Sequence, residues 1–378
     1  MPAPHVSGIA TVENGTHERP ERDLAAEVLL DALGEAGLSG GDLDGLYMPK
    51  PRPWTPQKFF STLLTHHLGL DLDRTLEVYS GGTSAGSAFR SAVRGIRDGD
   101  VEVAAVIAAE RSSISDTDRY FDYILSLFDR EFQSPAGPTI PGVYAQSLQR
   151  YLYDYGIDRD RIAEIVVKNR ENALSNPEAV FDDPIDVEAV LDSRPIADPL
   201  RLYECPRPCD GAAALILTTA DRADESDAQP IPITGTGYAH PPSHFIGARG
   251  HQLSELPAAG GAMHEALEDA GCDPGTVDAL EPYAPFPHVE GILLEELALV
   301  DRGAGATAAV NGPLPVSPSG GCIGRGHPPM VTPLLNHIAA VRQLRGTAPN
   351  QVSGAECVLT TAEHGHVDGV NATVFGGA

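Results

Sequence analysis

The sequence predicts an α/β protein made of two similar halves, and three observations carry that prediction. Strand-like and helix-like segments alternate along the 378 residues in an order that is given once and then repeated. The length suffices for two core-bearing units or one large duplicated one. Between the two copies lies TADRADESDAQP (219–230), a polar, acidic stretch suited to a linker. The halves are therefore expected at 1–222 and 229–378.

In the first half, residues 20–37 (PERDLAAEVLLDALGEAG) place apolar residues at helical spacing, with Pro and acidic residues at the start and Gly at the end. Residues 85–98 (AGSAFRSAVRGIRD) form a helix rich in small residues, which predicts burial. The strand VEVAAVIAAE (101–110) follows at once. A helix over 159–174 and a buried strand over 211–219 complete the half. The second half gives a strand at 230–238, a helix at 259–270 and a strand at 277–283. A glycine-rich turn (319–326) then leads into a helix at 330–345, and CVLTTAEHG and NATVFGG close the chain as strands. Residues 111–157 carry many aromatics without clean periodicity and are expected to be an inserted loop region covering a site.

Composition excludes several functions. No apolar run approaches the ~20 residues needed to span a bilayer. The N-terminus, MPAPHVSGIATVENG, has neither the basic nor the apolar region of a secretory signal, so a cytoplasmic protein is expected. Lys and Arg total 26 against 53 Asp and Glu, a net charge of −27, and the only lysines are Lys50, Lys58 and Lys168. Such a surface repels nucleic acid and anionic membranes. It fits a halophilic cell, where molar salt screens the repulsion, better than the acidic, arginine-favouring protein of a GC-rich genome. The five cysteines do not read as a disulfide framework, and Cys205 and Cys209 lack the second pair of a zinc site. No P-loop or dinucleotide fingerprint is present. No metal and no permanently bound cofactor are expected.

Four motifs carry a resemblance. They are the turn YSGGTSAGSAF with its helix and IRDGDVEVAAV, then KNRENALSNPEA (168–179), CDGAAALIL (209–217) and SPSGGCIGRGHP (317–328). In this order and separation, over nearly the whole chain, the sequence resembles the thiolase superfamily, in particular its lipid-transfer-protein-like (SCP2-type) branch and haloarchaeal β-ketothiolase catalytic subunits. The resemblance implies the five-layered α-β-α-β-α thiolase fold, with two five-stranded halves face to face. It also implies a coenzyme A thioester as substrate.

The first motif has a physical logic, since a tight turn into a helix exposes a side chain where the dipole stabilises negative charge. In thiolases that side chain is an acyl-accepting cysteine. Counting back from the helix puts Gly82 at its place, whereas counting forward from TLEVY puts Ser80 there. Ser84 lies two positions beyond Gly82. Both serines stand as candidate nucleophiles, with turn formation and helix capping as the plain alternative. His327 matches the family's Gly-His-Pro, where an imidazole assists the nucleophile and polarises the thioester. Near the end, His364-Gly365 matches the branch's His-Gly turn, which implies that His364 is the base acting on the second acyl-CoA; His366 reads as a surface residue. Tyr283 in EPYAPF stands where the family has an Asn or His, and offers a donor to an oxyanion. Asp210 and the pair His66–His67 read as structural, and Trp54 with the aromatics of 119–128 reads as core packing or as the lining of a lid.

The resemblance implies a β-ketothiolase, performing Claisen condensation or thiolysis with a Ser-His-His set in place of Cys-His-Cys and feeding polyhydroxyalkanoate precursors. Two alternatives stand beside it: a retro-aldolase cleaving a β-hydroxyacyl-CoA, and a non-catalytic acyl-CoA or lipid carrier subunit. It implies two partners as well, a second copy of the chain and a small OB-fold subunit with a zinc ribbon. The dimer is expected through the first half, because helix 85–98 and strand 101–110 are too apolar for a wet surface.

Overall fold

A computed structural model of the chain describes residues 4–240, 253–364, 366 and 369–377. The strands of its main sheet are β1 (His5–Thr11), β2 (Gly45–Pro49), β3 (Arg74–Val78), β4 (Val103–Glu110), β5 (Gly211–Thr218), β6 (Ile231–Ala239), β7 (Ala279–Glu281), β8 (Cys357–Ala362) and β9 (Val370–Gly376). They hydrogen-bond in the order β3-β2-β4-β5-β1-β6-β9-β8-β7. The first five strands make one half of the ladder and the last four the other. The fifth strand expected in the second half is reduced to a single parallel bridge, Leu280 to Val316, at the β7 edge. Nor are the two halves separate sheets: β1 and β6 join edge to edge through His5–Pro232 and Val6–Ile231.

Helices cover and divide this ladder. They include α1 (Glu21–Glu35), α2 (Phe60–Leu68), α3 (Ser84–Arg97), α4 (Thr117–Leu125), α5 (Ile140–Tyr155), α6 (Arg159–Ala173), α7 (Pro257–Ala270), α8 (Pro287–Glu296) and α9 (Thr332–Arg345). Three apolar clusters define the layers. Leu24, Val28 and Leu29 of α1 pack with α2 on the outer face of the first half. Ala262, Met263 and Ala266 of α7 pack with α5 and α8 on the outer face of the second. Between the sheets, Ala88, Phe89 and Ala92 of α3 meet Leu334, Leu335 and Ile338 of α9. The resulting α-β-α-β-α order is that of the thiolase fold.

The small residues of α3 and β4 serve this layering, which corrects the reason given above for a dimer. Ala85, Ala88, Phe89 and Ala92 are buried inside the chain's own central layer, and β4 is an interior strand paired on both sides. Neither needs a second copy to cover it. Residues 111–157 also differ from expectation, since they hold α4 and α5 rather than an unstructured loop.

The repeat is visible in glycine placement. On β1, a Cβ at Gly8 would lie 2.0 Å from the Ala32 carbonyl of α1. On β6, Cβ atoms at Gly235 and Gly237 would lie 2.0 Å from the Ala266 and Ala262 carbonyls of α7. In each half the first strand lets its covering helix approach to backbone contact. The central layer holds a buried imidazole: His337 of α9 lies 4.3 Å from the Phe89 ring, and its Nδ1 meets Thr360 Oγ1 at 2.9 Å. Burial pulls its pKa down to about 3.

Two outcomes follow from this packing. Gly237→Ala forces α7 away from β6 and should cost about 1–3 kcal/mol in denaturant unfolding, the usual penalty of overpacking. For His337 the unfolded chain binds a proton near pH 6.5 and the folded chain only near 3. Its contribution is complete above pH 6.5 and is lost, by up to about 1.4 kcal/mol per pH unit, on acidification towards 3. His337→Leu should flatten that part of the stability–pH curve; an unchanged slope would exclude this origin.

Candidate active site

Where the two halves meet α4 and α5, a cavity of about 180 Å³ opens. Its walls come from both halves: Gly81 and Gly82 from the turn before α3, Tyr283 and Phe286 after β7, His327, and Glu363 after β8. Tyr120, Tyr123 and Ile124 of α4, with Ile140 and Tyr144 of α5, close it, so the aromatic segment 111–157 does lie over this site.

His327 is held by hydrogen bonds that fix its tautomer. The Thr332 hydroxyl donates its only proton to the Pro328 carbonyl at 2.9 Å, so at 3.0 Å it must accept from His327 Nδ1. His327 Nε2 is then the unprotonated nitrogen, and it accepts the Tyr283 hydroxyl at 3.2 Å. Burial, reinforced by the positive charges of Arg52 and Arg325, holds the imidazole pKa down at about 3. Burial, with Glu363 nearby, pushes the Tyr283 phenol well above 10. The pair is therefore a neutral imidazole and a protonated phenol throughout the physiological range.

A buried polar scaffold carries these two side chains. Arg325, 1% exposed, donates to Ser319 Oγ at 3.0 Å and Asn336 Oδ1 at 2.7 Å. Ser319 in turn donates to Glu281 through its hydroxyl and its backbone N–H. The Tyr283 N–H donates to Thr361 Oγ1 at 2.9 Å, tying the loop after β7 to β8. On the opposite wall Arg52 donates to Glu110 at 3.2 Å and to Tyr123. Glu110 also accepts the Met330 N–H at 2.7 Å, which fastens this ion pair to the loop after His327.

The serines are placed differently. Ser84 is fully buried; its hydroxyl donates to the Gly81 carbonyl at 2.6 Å and accepts the Ser80 N–H at 2.9 Å. Ser80 donates to Ser87 Oγ at 3.2 Å. Neither lines the cavity; the turn presents Gly81 and Gly82 instead. A Cβ added at Gly82 would lie 2.1 Å from Glu363 Oε1. The space a side chain at residue 82 would enter is thus filled by a carboxyl group. Cysteines give no substitute: Cys205 lines the cavity, but burial raises its thiol to about 12, and Cys322, fully enclosed, is raised to about 12 as well.

Glu363 is the site residue that sequence reasoning missed. Its φ of 71° lies in the left-handed region, where a non-glycine residue costs roughly 1–2 kcal/mol. Strain held at a cavity wall is a signature of a positioned group. His364, one residue on, stands behind it. His364 Nδ1 accepts the His366 N–H at 3.3 Å, and its Nε2 lies 3.1 Å from Glu363 Oε2 and against the Tyr144 hydroxyl. Both ring nitrogens are engaged and the ring does not line the cavity. Burial, with His366, His288 and His327 nearby, holds its pKa well below 6.5. His366 is buried rather than at the surface, with Nε2 3.2 Å from Ser147 Oγ; Gly365 lies outside the described residues. Asp210 holds the His17 and Ser113 N–H groups, as a structural turn residue does.

Comparison with known proteins agrees with this architecture. Residues 244–377 match the Thiolase C-terminal domain-like family. An acetyl-CoA acetyltransferase of Methanothermobacter thermautotrophicus is 34% identical over 90% of this chain and 90% of its own. A 17-hydroxy-3-oxo-4-pregnene-20-carboxyl-CoA lyase of Mycobacterium tuberculosis is 31% identical over 92% of each. Among solved structures, the Ltp2-ChsH2(DUF35) aldolase superposes with a TM-score of 0.82 at 25% identity, over 99% of this chain and 98% of that one. A monomeric SCP2-thiolase-like protein of Mycobacterium smegmatis shares the fold, with a TM-score of 0.77 at 17% identity over 100% of this chain and 77% of that one. With relatives at or above 30% identity, two of them spanning nine-tenths of its length, and with a cavity built from both halves of a thiolase fold, the chain belongs to the thiolase superfamily and is a thiolase-like enzyme.

Proposed function

We propose that this enzyme cleaves, or in reverse forms, the Cα–Cβ bond of a β-hydroxyacyl-CoA by aldol chemistry, without an acyl-enzyme intermediate. One observation carries the reading: the turn before α3 presents Gly81 and Gly82 to the cavity, and the carboxyl of Glu363 fills the space that a side chain at residue 82 would enter. The lyase and aldolase relatives support it.

Glu363 takes the proton of the substrate β-hydroxyl. The O–H electrons form the carbonyl, the Cα–Cβ bond breaks, and its electron pair moves into the thioester as an enolate. The protonated Glu363 then returns the proton to the α-carbon, so a β-hydroxyacyl-CoA becomes a ketone or aldehyde plus a shortened acyl-CoA. Tyr283, kept protonated by burial and oriented by His327, donates to the enolate oxygen, and the Arg52 guanidinium in the wall adds positive field. His364 positions Glu363 rather than acting on substrate. The chain accordingly acts on acyl-CoA and needs no resident cofactor.

The first relative favours a second reading, thiolysis or condensation through Ser80 or Ser84 with His327 and His364. Kinetics separate the two. The aldol reading expects cleavage of β-hydroxyacyl-CoA thioesters, and Glu363→Gln should lower kcat by about 10²–10⁴-fold, the usual loss of an acid–base group. Ser80→Ala with Ser84→Ala should leave the chemical step within severalfold. Tyr283→Phe should cost about 10²–10³ in kcat with little change in KM, as loss of an oxyanion donor does. Fast thiolysis of acetoacetyl-CoA that survives Glu363→Gln and dies with the serines would establish the second reading instead.

Two partners belong to the proposal. A small OB-fold subunit with a zinc ribbon would complete the acyl-CoA entrance, supported by the likeness to the Ltp2-ChsH2(DUF35) aldolase. A homodimer would form across the β3 edge, where Leu76 and Tyr79 are 38% and 58% exposed and the strand is paired on one side only. Sedimentation in molar salt should give a dimer that Leu76→Asp dissociates; a monomeric unaltered chain would remove the homodimer.

A further inference from the structure

Beside the turn that carries His327 lies a cluster that the chemistry above does not use. The His327 N–H donates to the Arg207 carbonyl at 3.0 Å, and the Val180 N–H donates to the Arg325 carbonyl at 3.0 Å. These two ladders hold Arg207 and Phe181 next to the 325–327 turn. Arg207 belongs to the strip 205–208 whose Cys205, Pro206 and Pro208 form the cavity rim. Its guanidinium lies 5.7 Å from the centre of the Phe181 ring, and that of Arg170 on α6 lies 3.2 Å from the same ring.

Most arginines near the core of this acidic chain are spent on carboxylates, as in Arg159–Glu204, Arg342–Glu178 and Arg345–Glu35. Arg170 and Arg207 form no ion pair among the described residues. Arg170 is only 6% exposed. Burial opposes its charge and the like charge of Arg207 opposes it further, with Asp183 as the compensating acid. A buried cation beside a second cation, with Asp183 near but ion-paired to neither, is a place where a further anion is favoured. Tyr203, 37% exposed and 5.9 Å from Arg170, offers an aromatic face at the same place.

We propose that Arg170 and Arg207 receive the phosphates of the coenzyme A portion of the substrate, with Tyr203 as the stacking face for its adenine. This rests on the acyl-CoA reading and assigns the nucleotide end of that substrate. Planar guanidinium groups match phosphate oxygens bidentately, and stacking on Phe181 holds the plane of Arg170 before the ligand arrives. Arg207 lies one hydrogen bond from His327 along the backbone, so the pantetheine arm runs from the rim at 205–208 inwards to Tyr283.

Equilibrium titration tests this without turnover. Coenzyme A, adenosine 3′,5′-bisphosphate and pantetheine are each titrated into the intact protein, Arg170→Gln and the surface variant Arg207→Glu. Each variant should weaken coenzyme A and the bisphosphate at least tenfold and leave pantetheine within twofold. Arg207→Glu should melt as the unaltered protein does, so it carries the test even if Arg170→Gln misfolds. Unchanged coenzyme A affinity in Arg207→Glu, or an equal loss for coenzyme A and pantetheine, would overturn the assignment while leaving the acyl-CoA reading intact. No binding of coenzyme A to the unaltered protein would overturn both.

Discussion

A side chain at residue 82 and a carboxyl group at residue 363 cannot share one space, and much of the site follows from that exclusion. With a Cβ position only 2.1 Å from Glu363 Oε1, the turn before α3 must present bare backbone to the cavity. Ser84 turns its hydroxyl to the Gly81 carbonyl inside the turn, and Ser80 turns its own to Ser87 of α3. Glu363 reaches across only because its backbone adopts a left-handed conformation and because His364 and Tyr144 stand behind it. The contact joins the two halves of the fold, since residue 82 precedes the helix of one and residue 363 follows a strand of the other.

Burial then sets the chemistry of the groups around the carboxyl. A neutral imidazole with its proton on Nδ1 and a phenol kept protonated form a pair that donates and orients but does not build up charge in the resting enzyme. Positive charge comes from Arg52, tied to Glu110, and from Arg325 beneath the His327 turn. Such fixed dipoles and cations stabilise a developing enolate with little reorganisation. They do less for a serine that lacks a base within reach, which is why this site suits a reaction needing only a proton acceptor and an oxyanion donor.

Much of the fold was legible because its signals are local. The duplicated order of strands and helices, the buried small-residue helix and the long strands all show in periodicity and composition. The apolarity of α3 and β4 was legible too, but not its cause: a five-layer protein has a central helical layer that must be apolar on every side without any partner chain. Residues 111–157 hid two helices because the aromatics of α4 gather in a small cluster at the cavity while Tyr144 and Tyr151 of α5 enter the second half's core, so no single periodic face runs through the segment. At the site, His327 and Tyr283 could be found from motif and position, and they do lie within hydrogen-bond distance. Glu363 could not. It stands beside two histidines that draw attention, and only the fold reveals that a left-handed residue turns the glutamate, not His364, towards the cavity. No spacing rule links residues 170, 181 and 207 either, since tertiary contacts alone assemble them.

On the proposed route, carbon–carbon cleavage proceeds without a covalent acyl-enzyme. Intact-mass analysis of enzyme quenched during steady turnover of an acyl-CoA substrate tests it most directly. Aldol cleavage should leave an unmodified chain at every time point while product accumulates. An acyl adduct that forms and decays at the rate of turnover, and that disappears when Ser80 and Ser84 are replaced by alanine, would contradict it.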